Sequence, residues 1–263
     1  MSILFSGDFH ANVANELSHI AKGSLLKKYR QELFDGIKYH IILGDGGFMW
    51  RGNKKADIYN YKVLAHRPFP VLCVVGNHEP VLGMEGLPEV DIGIGETVMQ
   101  IQAEPFVAYL KRGKVYTIDG FKILALGGAL STDKHSRKPN LTWWEREYWS
   151  EEEKRDVFSL LESENAFDCV ISHTGPHRIN KLLFECILSE FSKKFIDDVA
   201  FLNDEIKKRI QFREWWCGHF HQNLYYRDEQ TGRGYQYLYK STKILDRRDN
   251  EMLVHNEFGM AKR

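Results

Sequence analysis

The sequence predicts an α/β fold. Three observations carry the expectation. Short apolar runs alternate with helical stretches along the 263 residues. The runs are rich in Val, Ile and Leu, as strands buried on both faces are. Five of them are followed by Asp, Asn or His, four times with a glycine between.

Taken in order, residues 3–6 (ILFS) are a short apolar strand, and residues 12–34 are mostly helical with Gly23 a break. Residues 40–43 form a second strand, residues 54–66 a second helix, and residues 71–75 (VLCVV) a fully apolar third strand. Residues 115–118 and 122–126 flank Asp119-Gly120, a two-residue hairpin turn. Ser150 with Glu153 three residues on is a capping box that opens a helix to about Ser163. Residues 169–172 return to strand. Residues 179–211 read as a helical excursion of one or two helices, with Leu182, Leu183, Ile187, Leu188, Phe191 and Phe195 as an apolar stripe packed on the sheet. Residues 214–217 are a further strand, and 224–227 with 235–239 a hairpin around residues 231–234. Repeats and long Pro/Ser linkers are absent from the sequence, so one domain over 1–263 is expected.

Composition narrows the function. Thirty-six Lys+Arg balance 36 Asp+Glu, so the basic excess of a general nucleic-acid or membrane-surface binder is missing. No apolar run reaches the ~20 residues of a membrane span. The opening MSILFSGDFH lacks the basic start of a signal peptide. Cys73, Cys169, Cys186 and Cys217 form no CxxC pair and read as buried thiols of a reducing compartment. A cytoplasmic protein is expected, compatible with a homo-oligomer and with no stable nucleic-acid partner.

The residues after the strands carry the chemistry. They read Gly7-Asp8-Phe9-His10, Gly44-Asp45, Gly76-Asn77-His78-Glu79, Ser172-His173 and Gly218-His219-Phe220-His221. The carboxyl edge of an α/β sheet is where ligands bind. If these strands run parallel in one sheet, Asp8, His10, Asp45, Asn77, His173, His219 and His221 converge. Carboxylate, imidazole and amide oxygen without thiolate suit Mn²⁺, Fe or Zn²⁺. Seven donors suit two ions that share a bridging carboxylate. Any one of these motifs alone reads better as an ordinary loop residue; all five in this order do not.

GDFH, GD, GNHE, SH and GHFH in this order resemble the motifs of the calcineurin-like metallophosphoesterases, over Asp8 to His221. The resemblance implies a four-layer α-β-β-α sandwich, two mixed β-sheets flanked by helices, with a centre of two divalent ions, Mn²⁺ before Fe or Zn²⁺. It places Asp8, His10 and His221 on the first ion, Asn77, His173 and His219 on the second, and Asp45 between them. It gives His78 to substrate phosphate and the leaving group. The activity implied is phosphate-ester hydrolysis by a metal-bridging hydroxide, on a phosphorylated small molecule, nucleotide or phosphoprotein. Nuclease or nucleotide phosphodiesterase action is the alternative, and a non-catalytic metal-binding scaffold a remote one. The sequence departs from the protein-phosphatase pattern GDxxDRG: Phe48 stands at the second Asp, and Arg51 follows only later.

One loop remains. Residues 131–149 (STDKHSRKPNLTWWEREYW) place Lys134, His135, Arg137 and Lys138 among aromatics. As a substrate loop it would clamp phosphate with Arg137. As a structural loop it would bury Trp143 and Trp144, and packing is the expected role of these two tryptophans. Glu79 is expected to fix local backbone or orient His78, and His177 to be a loop histidine.

Overall fold

The computed structural model describes residues 2–10, 36–49, 69–79, 86–184, 197–248 and 251–256. The helices expected at residues 12–34 and 54–66, Arg51, Cys186 and the stripe from Ile187 to Phe195 lie outside them.

Two mixed sheets organise these residues. In the larger, β1 (Ser2–Ser6), β2 (Ile37–Ile42), β3 (Val71–Cys73) and β6 (Val107–Tyr109) run parallel. On one flank β5 (Val98–Gln102) and β4 (Glu89–Val90) add antiparallel strands. On the other flank β13 (Thr242–Arg248) pairs antiparallel with β1, and β14 (Glu251–Asn256) with β13. The smaller sheet has the order β11-β12-β10-β9-β8-β7. Its strands are β7 (Lys114–Ile118), β8 (Phe121–Ala125), β9 (Cys169–Ile171), β10 (Glu214–Cys217), β11 (Leu224–Arg227) and β12 (Gly234–Tyr237). Here β8, β9, β10 and β12 are parallel, with β7 and β11 as antiparallel edges.

The five strands that carry the candidate ligands therefore do not share one sheet. β1 to β3 belong to the larger, β9 and β10 to the smaller. All five are buried on both faces towards their carboxyl ends, so each sheet needs cover on two sides. Stacking the sheets supplies one side for both. The two-residue period of a strand makes the division visible. Ile3, Phe5, Ile41 and Leu72 meet Ile123, Cys169, Ile171 and Trp216 between the sheets. The alternate residues Leu4, Ile42, Val71 and Cys73 form the outer core of the larger sheet. Val170, Trp215 and Cys217 form that of the smaller. Phe5 and Trp216 stack across the interface with centroids 4.4 Å apart.

Among the described residues, three helices cover the outer face of the smaller sheet: α1 (Glu151–Ser163), α2 (His177–Phe184) and α3 (Asp198–Lys207). Ser150 and Glu153 make the expected capping box on α1, each side chain taking the other's backbone N–H. The helical excursion is two helices among the described residues, joined through residues 185–196. Of the expected stripe, Leu182 is exposed and Leu183 is partly buried against the core, beside the buried Ile179 and Phe184 of the same helix. The Asp119-Gly120 turn joins β7 to β8 with φ of +50° and +78°, the two left-handed residues of a type I′ hairpin. Cys73, Cys169 and Cys217 are buried free thiols.

Candidate metal centre

The polar residues after β1, β2, β3, β9 and β10 meet where the carboxyl ends of the two sheets face each other. Asp8, His10, Asp45, His219 and His221 all have positive φ, between +40° and +68°. Residues other than glycine seldom adopt this region, Asn, Asp and His most readily, and such strain persists where the surroundings over-determine it. It turns each side chain out of its strand direction and into the cleft. The glycines before them allow close approach. A Cβ on Gly44, itself at φ +84°, would lie 2.3 Å from Nδ1 of His173 on the opposite sheet. A Cβ on Gly76 would lie 2.2 Å from Oδ1 of Asp45.

Among the described residues, three groups of donors are close enough to share a cation: Asp8 with His10 and His221, Asp8 with Asp45 and His173, and His10 with Asp45 and His78. In the first, Nε2 of His10 and Nε2 of His221 are 2.9 Å apart, and Oδ2 of Asp8 is 3.9 Å from the latter. In the second, Oδ2 of Asp45 is 3.3 Å from Nε2 of His173, and Oδ1 of Asp8 is 3.6 Å from its Nδ1. Nδ1 of His173 donates to the carbonyl of Leu43 at 2.7 Å, which turns Nε2 towards Asp45 and Oδ1 of Asn77. Asp45 stands in the second and third groups, 3.9 Å from His10 and 3.8 Å from His78. His219 lies beside His173 with ring centroids 5.0 Å apart, outside the three groups.

The electrostatics favour a cation. Both oxygens of Asp8 are buried and lack a hydrogen-bond partner among the described residues. Burial pushes its carboxyl up to about 7, against the pull of His173. An orphaned carboxylate in the interior costs several kcal/mol unless a cation or donor meets it. Burial also opposes ionisation of Asp45, but His173 and His78 overcome it and hold the carboxyl below the usual range. Burial pushes His10 down to about 4 and lowers His78, His219 and His221, so His10, His219 and His221 have lone pairs to offer a cation. His173 is the exception: Asp45 and Asp8 outweigh burial and raise it to about 10, so positive charge is stabilised at its Nε2. The donor set and its orphaned carboxylate fit divalent metal.

A model of the calcineurin-like phosphoesterase family matches residues 1–240. The chain belongs to the calcineurin-like phosphoesterases. It is a metallophosphoesterase, a hydrolase of phosphoric esters from a family that uses divalent metals. Among solved structures it is similar to the phosphopantetheinyl hydrolase PptH of Mycobacterium tuberculosis, with a TM-score of 0.51, 13% identity, and 91% of this chain and 90% of that chain covered. It is also similar to a dimetal phosphatase from Danio rerio, with a TM-score of 0.49, 9% identity, and 98% of this chain and 96% of that chain covered. At 13% identity the likeness to the phosphopantetheinyl hydrolase shows the fold alone. No curated protein matches the sequence.

Around this phosphoesterase centre the sequence-predicted residues divide. Arg137 reaches the site: its two Nη atoms lie 3.1 and 3.0 Å from the ring nitrogens of His78, and its Nε bonds Asp133 at 2.7 Å. Glu79 fixes backbone, as expected. Buried itself, it accepts from the N–H groups of Gly76, Asp45 and Gly47 at 2.6, 3.1 and 3.4 Å. Phe48, which replaces the second Asp of the phosphatase motif, is fully buried in the outer core of the larger sheet. His177 stacks on Phe201, with centroids 3.9 Å apart. In the aromatic loop, Trp149 is the tryptophan buried in the core. Trp143 and Trp144, expected to be buried, are only half-buried, and the indole N–H of Trp143 donates to the buried Glu147 at 2.7 Å.

Three residues next to the candidate ligands carried no signal of this kind in the sequence. The carbonyl of Leu43 orients His173. Ser131 accepts from Nδ2 of Asn77 at 2.9 Å, and Glu147 accepts from Ser131.

Proposed function

We propose that the chain, as one domain over residues 1–263, is a dinuclear metal-dependent hydrolase of phosphate esters. Asp8, His10 and His221 hold one ion, Asn77, His173 and His219 the other, and Asp45 lies between them. The observation that carries this reading is the buried, hydrogen-bond-orphaned Asp8 carboxylate set against His221 on one side and His173 and Asp45 on the other. When bound, two divalent ions, Mn²⁺ in our reading, supply Lewis acidity and lower the pKa of water to near neutrality.

The chain's own residues do the rest. Arg137 offers guanidinium N–H groups beside His78, where the phosphoryl oxygens of a substrate would lie. Its charge favours a phosphomonoester over a diester, since the monoester dianion carries more charge to neutralise. His78 donates a proton or a hydrogen bond to the leaving oxygen. The backbone N–H of His78 is tied to Oδ1 of Asp45 at 3.0 Å, so the proton donor and the bridging carboxylate keep a fixed spacing. Glu79 holds the turns of both from below.

The test is metal content with hydrolysis. The purified protein should carry two divalent ions per chain and hydrolyse an aryl phosphate monoester faster than a bis-aryl diester when Mn²⁺ is supplied. Faster diester cleavage would support the nuclease or nucleotide phosphodiesterase reading. Two ions with no hydrolysis across phosphorylated metabolites, nucleotides and phosphopeptides would support the scaffold reading.

A further inference from the structure

We infer that Ser131 and Glu147 are positioning residues that set which atom of the Asn77 side chain faces the metal centre. The inference rests on the reading of Asn77 as a ligand through its oxygen. An Asn amide is pseudo-symmetric: rotated by half a turn it presents NH₂ where the carbonyl oxygen was, and NH₂ cannot ligate a cation. Something must distinguish the two ends. His173 selects Oδ1 only while its Nε2 carries a proton; as a metal ligand it offers a lone pair there, and then Ser131 is what distinguishes the two ends.

The relay from the aromatic loop makes the distinction. Glu147 is fully buried, and every neighbour bonded to its carboxylate is a donor. The backbone N–H of Ser131 meets both oxygens at 3.2 Å, the indole N–H of Trp143 meets Oε1 at 2.7 Å, and Oγ–H of Ser131 meets Oε2 at 2.7 Å. A serine hydroxyl has one hydrogen. Spent on Glu147, it leaves Oγ with lone pairs alone. Oγ must then accept, and the group 2.9 Å away on Asn77 must be Nδ2. Oδ1 is thereby turned to the opposite side, 3.1 Å from Nε2 of His173. Asn77 is 3%, Ser131 1% and Glu147 0% exposed, so water does not substitute for a missing member. The flipped amide would set NH₂ against the cation and leave two acceptors facing each other at Ser131. The same loop carries Arg137 to His78, so one segment both orders a ligand and presents a phosphate-binding group.

The test reads metal affinity. Mn²⁺ is titrated into chelator-stripped wild-type protein and variants, and the two dissociation constants are measured. Ser131→Ala should weaken one of the two Mn²⁺ ions about 10- to 100-fold, the range for lost outer partners of a ligand, and leave the other unchanged. Ser131→Thr, which keeps the hydroxyl, should bind like wild type. In an Asn77→Asp background both terminal atoms are oxygens, so Ser131→Ala should no longer change affinity. A merely structural serine would weaken binding in both backgrounds. Should Ser131→Ala not fold, Glu147→Gln replaces it, because the amide offers one acceptor atom where the carboxylate has two, and it must show the same one-ion loss. Wild-type affinity for both ions in Ser131→Ala would overturn the relay. If Asn77→Ala also binds both ions normally, the ligand assignment itself is wrong; if it loses one, only the relay is.

Discussion

Gly76→Ala tests whether the close approach between the β3 turn and Asp45 is real. An added Cβ would lie 2.2 Å from Oδ1 of Asp45, 2.5 Å from its backbone N and 2.8 Å from Oε2 of Glu79. Ordinary contact begins near 3.4 Å, so Asp45 must retreat by about 1 Å. A side chain could swing aside, but the backbone nitrogen cannot move without β2's turn. Two effects compete in stability. Gly76 has no left-handed φ, so alanine fits the local backbone and by itself would stabilise by about 0.4–1 kcal/mol through the unfolded chain. Overpacking costs about 1–3 kcal/mol, and the steric cost wins, for a net loss of roughly 1–2 kcal/mol. The functional effect is larger. A displacement of about 1 Å at a reacting geometry costs on the order of 10²-fold in rate. Urea denaturation, metal content and turnover on p-nitrophenyl phosphate measure the three quantities. Gly86→Ala is the control, since nothing lies within 4 Å of its Cβ, and it should keep wild-type turnover. Full activity and two ions in Gly76→Ala would refute the argument that this glycine is required by the bridging carboxylate.

Other outcomes follow from the same geometry. Asp45→Asn should lose at least one ion and nearly all turnover while its circular dichroism stays native, since the shared anion between two cations is gone. Arg137→Ala should raise both KM and the inhibition constant of inorganic phosphate about tenfold or more, the worth of a charge-assisted hydrogen bond; unchanged constants would make the loop purely structural. His78→Ala should keep two ions but lose about 10²–10⁴-fold on an alkyl phosphate and far less on p-nitrophenyl phosphate, whose leaving group needs no proton. Equal losses on the two substrates would assign His78 to phosphoryl charge rather than to proton transfer.

Why some of this was legible in the sequence and some not follows from the range of the interactions. The strands β1, β2, β3, β9 and β10 announce themselves because each is a run of apolar residues closed by a polar one, a signal contained in a few neighbours. The Asp119-Gly120 turn and the Ser150 cap are local for the same reason, and both fold as expected. The partition of those strands between two sheets is not local. It depends on β13, whose Ile244 and Leu245 face opposite cores between charged neighbours and so carry too little alternation to be seen as a strand. Strands β4 to β6 are short or polar and escape similarly. The site shows the same division. Ligand types can be read because five strands in turn each deliver a carboxylate, amide or imidazole past their carboxyl ends. The residues that aim them cannot: Leu43 acts through a carbonyl that any residue would supply, and Ser131 acts through a hydroxyl 54 positions from Asn77. Arg137 could be suspected from its loop, but only the fold brings it to His78, 59 positions away. What remains hidden in such a sequence is therefore orientation rather than composition. At Asn77 orientation decides whether an oxygen or an NH₂ meets the cation.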